Sequence, residues 1–408
     1  MAQGDMRDRP RHAGAGDRQM TALDPRAMRL ANAETVLRAL YGADALSQAA
    51  IATATGLSRR TVELILVDLE AEGWVRVRST EPHASGRGRP ARQYAFRSEV
   101  GVVLGIDIAH DRSTVAAADL RGRTLHTAVV PMPGEPERAE RLAGTRRAVA
   151  EALRAVGVRP GQVGSVSVAT PGNVNDKGAV DVELSMHGWT GVRLAEEFAP
   201  DFAVPVHVEN NAKLAVLAEL WEGATPGADH LLWLMLEGQY NGMGIVMDGV
   251  PYRGVDGAAG EIFWAKGLGL DALTASPLIG LGRLEPEERR AEATAILERA
   301  ERGDPAALSE VDSFADVLAR GLSALSWVFA PRYVVLGGWL AWALGDLLAT
   351  RVAARMARNA PPFVAVRRST LGPDAVVRGA IRAALDRYEW TAARPLAPER
   401  RPSPVDGG

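Results

Sequence analysis

The stretch VENNAKLAVLAELWEG, Val208 to Gly223, follows a short apolar strand, VPVHV, and gathers Glu209, Asn210 and Asn211 ahead of a helix with apolar residues at helical spacing. Polar side chains at such a strand-to-helix junction are typical ligand groups in open α/β sheets. A second group of reactive side chains, Ser58, Arg59, Arg60, Thr61 and Glu63, opens another helix, RRTVELILVDLEAEG. Arginine is disfavoured at a helix start by the helix dipole, so these residues are either a solvated terminus or partners for phosphate or base edges. On DNA, an Arg there can fork two hydrogen bonds to guanine, while Ser58 and Thr61 suit phosphates.

The elements around the second group have a recognisable layout. Asn32 is placed to cap a helix carrying Val36, Leu37 and Leu40, and Ser47 a second helix with Ala50, Ile51 and Ala54 inward. Gly56 permits the turn into the third helix, whose Val62, Ile65, Leu66 and Leu69 form an apolar stripe. Two alternating segments, WVRVRST and RQYAFR, then read as strands of a β-ribbon. This is a winged helix-turn-helix pattern. Its wing, SGRGRPARQ, holds Arg87 and Arg89 among glycines and a proline, a composition that suits either a minor groove or an ordinary solvated loop.

Composition narrows the possibilities. At 408 residues, with 47% hydrophobic and 24% charged side chains, the chain is of ordinary globular type and long enough for two or three domains. No apolar run reaches membrane-spanning length and the first twenty residues lack a signal-peptide core, so the expected location is cytoplasmic, with no membrane partner. Cysteine is absent, which excludes disulfides and cysteine-ligated zinc. Residues 1–100 contain 15 Arg, no Lys and 12 acidic residues, a net +3 against −6 for the remainder, so the front of the chain is its basic end. Residues 1–25 and 391–408 read as disordered tails, 26–98 as the winged helix-turn-helix, and 99–390 as alternating strands and helices in mixed α/β layers of two lobes.

With that organisation, the motifs LGID, VATPGNVN, VENNAKLAVLAELWEG and RGVDGAAGEI, together with Asn32 to Phe96 and the GRP-containing wing, resemble the ROK proteins, a family of repressors, open reading frames and sugar kinases. The resemblance covers residues 30 to about 390 and implies an actin-like, ribonuclease-H-like α/β pair of lobes with a sugar in the cleft. It also implies a front winged helix of the repressor branch. The family's catalytic base is the Asp of Glu-Asn-Asp-Ala; here the corresponding residue is Asn211. An amide exchanges hydrogen bonds with a hydroxyl but cannot take its proton near neutral pH, and loss of a positioned base costs roughly 10²–10⁴ in rate. The first phosphate turn reads Asp107-Ile108-Ala109-His110-Asp111 in place of Asp-x-Gly-x-Thr, and the second, GQYNGMG, keeps part of its glycine pattern. The family's zinc loop is shortened, and Trp264 stands at its sugar-contacting histidine.

The resemblance therefore implies ligand contacts from Gly172, Asn210, Asn211, Glu261 and Trp264, with no catalytic residue, no metal and no cofactor. Four of these have a plainer alternative: a turn glycine at 172, a helix cap at 210, an ion-paired loop carboxylate at 261, a pocket-plugging indole at 264. The expected function is a DNA-binding regulator, in the family usually a repressor, that senses a sugar or polyol-like effector. Its expected partners are a double-stranded operator and further copies of itself, as a homodimer or tetramer. Two rivals stand beside this reading: an active ATP-dependent sugar kinase, and a DNA-binding protein whose kinase-like region serves dimerisation alone.

Overall fold

The computed structural model describes residues 24–78, 92–134, 136–183, 185–238 and 240–390. The segments expected as tails, apart from Asp24 and Pro25, and the wing with Arg87 and Arg89 lie outside the described residues. The chain divides into two compact units, one of residues up to 71 with 75–96, the other of 72–74 with the residues from 97 onward.

The first unit packs helices α1 (Pro25–Tyr41), α2 (Gln48–Thr55) and α3 (Arg59–Ala71) with a sheet of β1 (Leu46–Ser47), β2 (Val75–Arg78) and β3 (Gln93–Phe96) in the order β1-β3-β2. This is the winged helix-turn-helix. Ser47 caps α2 by accepting from the Ala50 N–H, and Gly56 closes it in the left-handed conformation, φ 71°, that favours glycine. Ser58 Oγ accepts from the Thr61 N–H at the start of α3. Val62, Ile65, Leu66 and Leu69 are buried, as their spacing predicts. The first helix departs from expectation. It begins at Pro25, capped by Asp24, so Asn32 is mid-helix. Ala54 faces outward.

The second unit contains two lobes. The first lobe has β4 (Val102–Ile108), β5 (Arg112–Asp119), β6 (Thr124–Pro131), α4 (Arg138–Ala155), β7 (Val163–Thr170), the ribbon β8 (Asn173–Val174) and β9 (Val180–Val182), α5 (Leu194–Phe198), β10 (Val206–Asn210) and α6 (Asn211–Glu222). The second has β11 (Leu231–Met235), β12 (Gly242–Met247), β13 (Val250–Pro251), α7 (Pro277–Gly280), α8 (Pro286–Glu301), α9 (Pro305–Phe329), β14 (Tyr333–Gly337), α10 (Gly338–Ala343), α11 (Gly345–Met356), β15 (Ala365–Arg368) and α12 (Ala375–Asp386). Their sheets run β10-β7-β4-β5-β6 and β13-β12-β11-β14-β15. Numbered within each lobe, both orders are the same, 5-4-1-2-3, with strand 2 antiparallel to both its neighbours and strands 1, 3, 4 and 5 running in one direction. This is the actin-like, ribonuclease-H-like arrangement. Among the described residues, no helix is long and apolar enough to cross a membrane.

Helices α6 and α12 lie between the two sheets, and their alanine-rich faces share one core with Leu231, Trp233 and Val335 of the second lobe. Glycine brings the layers to backbone contact. A methyl group on Gly105 of β4 would lie 2.8 Å from the Ile381 nitrogen of α12, and one on Gly244 of β12 would lie 2.7 Å from the Ala212 oxygen of α6. One on Gly379 of α12 would lie 1.8 Å from the Leu214 oxygen of α6. Gly379→Ala must therefore push the two helices apart, and we expect it to destabilise the protein by about 1–3 kcal/mol or more in denaturant titration. Gly267→Ala, where an added methyl meets nothing within 4 Å, is the control and should stay within about 0.5 kcal/mol of the parent; equal effects would refute the close-packing argument.

Candidate functional site

A cavity of about 940 Å³ opens between the lobes, and Gly172, Asn210, Asn211, Glu261 and Trp264 all line it. The sequence-predicted ligand residues, which lie up to 92 positions apart between Gly172 and Trp264, are thus brought together around one space. Their local roles differ. Asn210 is both cap and lining: its Oδ1 accepts from the N–H groups of Ala212 and Lys213, and its Nδ2 donates to the Gly172 carbonyl at 2.9 Å. That bond ties the loop after β7 to the start of α6. Gly172 has φ +85°, and a methyl there would sit 2.7 Å from the Val182 carbonyl, so the chain's own packing suffices to require glycine. Trp264 is 64% exposed and stands at the rim; it does not plug the cavity.

Glu209 belongs elsewhere. Its carboxylate accepts from Arg253 Nε at 2.7 Å and from the Asn210 N–H at 2.8 Å, and Arg253 also reaches Asp176 and the Val174 carbonyl. Of the polar side chains in the family motifs, Asn173, Asn210, Asn211 and Glu261 line the cavity and Glu209 does not. Burial, offset by the Lys213 ammonium and reinforced by Glu183, raises the pKa of Glu261 above the usual carboxylate range. Sequence reasoning missed Asn173, Glu183, Ser185, His110 and Tyr240, which also line the cavity. The imidazole of His110 stacks on the Tyr240 ring with centroids 3.4 Å apart, and its Nε2 lies 2.6 Å from Ser185 Oγ. Burial, with Arg141 adding to it, lowers the His110 pKa to about 3, so this ring is neutral at physiological pH.

Beyond His110, the first turns of the two sheets meet in a buried charged cluster. Asp111 lies 2.9 Å from Arg112 Nη1 and 2.9 Å from Arg289 Nη2, and Arg289 covers the Trp339 ring. Glu237 accepts from the Trp339 N–H, 3.1 Å, at the start of α10, and its own N–H donates to Asn241 Oδ1. Arg112 is held among Asp111, Asp107 and Glu237. Burial, reinforced by Glu237 and Asp111 against Arg112, lifts the Asp107 pKa to about 7, and Glu237 is raised chiefly by burial as well. The cluster includes the turn from Asp107 to Asp111 that the resemblance aligns with a phosphate turn. Its residues do not fit a metal-bound phosphate: Asp111 is committed to two arginines, Glu237 accepts from the chain's own N–H, and burial raises the pKa of Asp107 to about 7. Among the described residues, no group of three or more His, Cys, Asp or Glu is arranged to hold a metal ion.

The comparisons with known proteins agree with this architecture. The model of the ROK family matches residues 103–263 and 265–387. The chain belongs to the ROK family. A putative xylose repressor of Caldicellulosiruptor sp. is 24% identical over 227 residues, 56% of each chain. A glucokinase of Halalkalibacterium halodurans is 30% identical over 223 residues, 47% of this chain and 67% of that one. The alignments thus span little more than half of the first relative and two thirds of the second. Among solved structures, a ROK family transcriptional regulator, homologue of the E. coli MLC protein, superposes with a TM-score of 0.65 at 19% identity, over 88% of this chain and 96% of that one. Relatives of this ROK chain are therefore both regulator-like and kinase-like.

In the first unit, Ser58, Arg59, Arg60 and Glu63 are exposed at the start of α3, and Thr61 is half-buried. Arg60 pairs with Glu63 at 3.0 Å, which leaves Arg59 the arginine without that tether. Leu64 and Val67, passed over in the sequence, are 48% and 60% exposed on the same helix.

The buried carboxylates have a pH signature. A folded-state pKa raised from 3.8 to about 7 at Asp107 means that the native state binds more protons than the unfolded chain between those values. Its stabilising contribution is full below about pH 4 and is lost as pH rises through about 7, and Glu237 acts with the same sign. Asp107→Asn should remove part of that loss. Denaturation midpoints at about pH 5 and pH 8 should differ less in the variant than in the parent; an unchanged difference would show that Asp107 does not carry the effect.

Proposed function

We propose that this protein is a DNA-binding transcriptional regulator whose kinase-like lobes bind a sugar or related polyol without phosphorylating it. The observation that carries this reading is the pair of substitutions at the two places a kinase cannot spare. An amide, Asn211, lines the cavity where a base is required, and Asp111 stands at the end of the first turn where the family's motif has Thr, its carboxylate tying up Arg112 and Arg289. An amide accepts no proton, and arginines committed to Asp111 are not free to hold a phosphate. What remains is a cavity able to exchange hydrogen bonds with hydroxyls through Asn210, Asn211 and Glu261.

The winged helix-turn-helix with Ser58, Arg59, Arg60, Thr61 and Glu63 at the start of its third helix supports operator binding, Arg59 as a base reader and the hydroxyls on phosphates. One such module covers too little DNA for a specific regulator, so the working form is a homodimer or a tetramer built from dimers. A sugar that favours one arrangement of the lobes would shift DNA affinity by an ordinary allosteric coupling of about 1–3 kcal/mol.

The test is recovery of bound fragments from the protein's own genomic DNA, followed by titration of a recovered site with sugars. A recovered site whose affinity one sugar shifts about five-fold or more supports the reading; failure to recover any site would overturn it. The kinase alternative is tested by Asn211→Asp, which restores the missing base. We expect no ATP-dependent phosphorylation of any sugar by parent or variant, because the phosphate cradle is still filled; turnover by the parent would overturn the sensor reading.

A further inference from the structure

The cavity is larger and more apolar than a free sugar requires. Its volume of about 940 Å³ lies at the upper end of the roughly 300–1,000 Å³ range that holds drug-sized ligands, and a single sugar ring leaves most of it empty. Its two walls differ in chemistry. The first lobe contributes Asn173, Glu183, Ser185, Asn210 and Asn211, all able to bond hydroxyls, with Glu261 completing that end. The second lobe contributes Met235, Met243, Phe263, Leu270, Leu273 and Ile279.

These apolar side chains are an edge of the second lobe's core. Met243, Leu270, Leu273 and Ile279 belong to the buried cluster around α8 and α9, and Phe263 packs against it. Each is at most 5% exposed except Phe263, which is half-buried. The cavity is thus a place where a lobe core meets solvent. Asp271, Thr274, Arg283 and Trp264 are exposed and form its polar and aromatic rim. Apolar walls beside a hydroxyl-binding end match a ligand with the same division: a polyol head and an apolar arm.

We infer that the effector is a glycoside rather than a free sugar, with its ring against the polar wall and an aromatic or alkyl aglycone over Met243, Phe263, Leu270, Leu273 and Ile279. This rests on the sugar-sensor reading and narrows it to a ligand class. The anomeric substituent gains affinity by burying apolar surface that a free sugar lacks; an aryl group buried there is expected to be worth about tenfold or more.

The experiment is isothermal titration of the full chain with glucose, xylose, galactose and N-acetylglucosamine, each offered as the free sugar, the methyl β-glycoside and the 4-nitrophenyl β-glycoside. For at least one sugar the nitrophenyl glycoside should bind about tenfold tighter than the methyl glycoside. Phe263→Ala should reduce that ratio several-fold while leaving methyl glycoside affinity close to the parent's, whereas Glu261→Gln should weaken both glycosides alike. The comparison within the unmodified chain stands even if a variant fails to fold. Free sugars that bind as tightly as their nitrophenyl glycosides would overturn the inference and leave the sensor reading intact. A nitrophenyl advantage that survives Phe263→Ala unchanged would also overturn it, by placing the arm elsewhere. Binding of no compound in any form would sink both the inference and the sensor reading.

Discussion

The site depends on the contact between α6 and α12. Two helices squeezed between two sheets can approach to backbone distance only where side chains vanish, and Gly105, Gly379 and Gly244 supply that at three successive layers. The approach fixes the depth of α6, and with it the level at which Asn210 and Asn211 enter the cleft. Arg378 reinforces it from the edge, donating to the Gly122 carbonyl and to Thr124 Oγ1 while pairing with Glu222 of α6. A dispersion-packed interior of this density transmits displacement rather than absorbing it. The helix that carries the ligand-facing amides is thereby mechanically continuous with both lobes.

On the other side of the cleft, electrostatics take over from packing. A buried carboxylate is tolerated when it is paired, hydrogen-bonded or protonated, and the three acids of the cluster use one solution each. Asp111 is paired with arginines from both lobes, Glu237 accepts the Trp339 N–H, and Asp107 holds a proton near neutrality. The cluster thus fills with the chain's own groups the end of the cleft beside the first turns of both sheets. Nearer the opening, the stacked rings of His110 and Tyr240 join the first turns of the two sheets.

Much of this was legible in the sequence where the determinants are local. Ser47, Gly56 and the stripe Val62, Ile65, Leu66 and Leu69 behave as their spacing requires, because caps, left-handed turns and helical faces are set within a few residues. Asn32 misled for the same reason. A half-buried Asn inside a helix looks like a cap in the sequence, and the Asp24-Pro25 pair that begins the helix lies in a stretch without apolar periodicity. The five residues expected to contact a ligand were legible as motif positions, and the cavity gathers them. Glu237, Arg289 and Tyr240 were not, since each owes its role to partners more than fifty residues away, and no local pattern marks them. Nor could sequence decide whether Trp264 fills the pocket, which depends on a backbone path through consecutive short 3-10 turns.

The placement of α12 has a temporal side. This helix is the last described element, yet it packs on β4 and β7 of the first lobe, where Gly105 meets Ile381 and Gly164 meets Tyr388 just beyond the helix. The sheet of the first lobe therefore leaves one face uncovered while all of the second lobe is being synthesised. Such long-range closure is slow and exposes apolar strands in the meantime. The core around α8, α9 and α11 is built from sequence-contiguous elements that precede α12, so it can close before the sheet of the first lobe is covered.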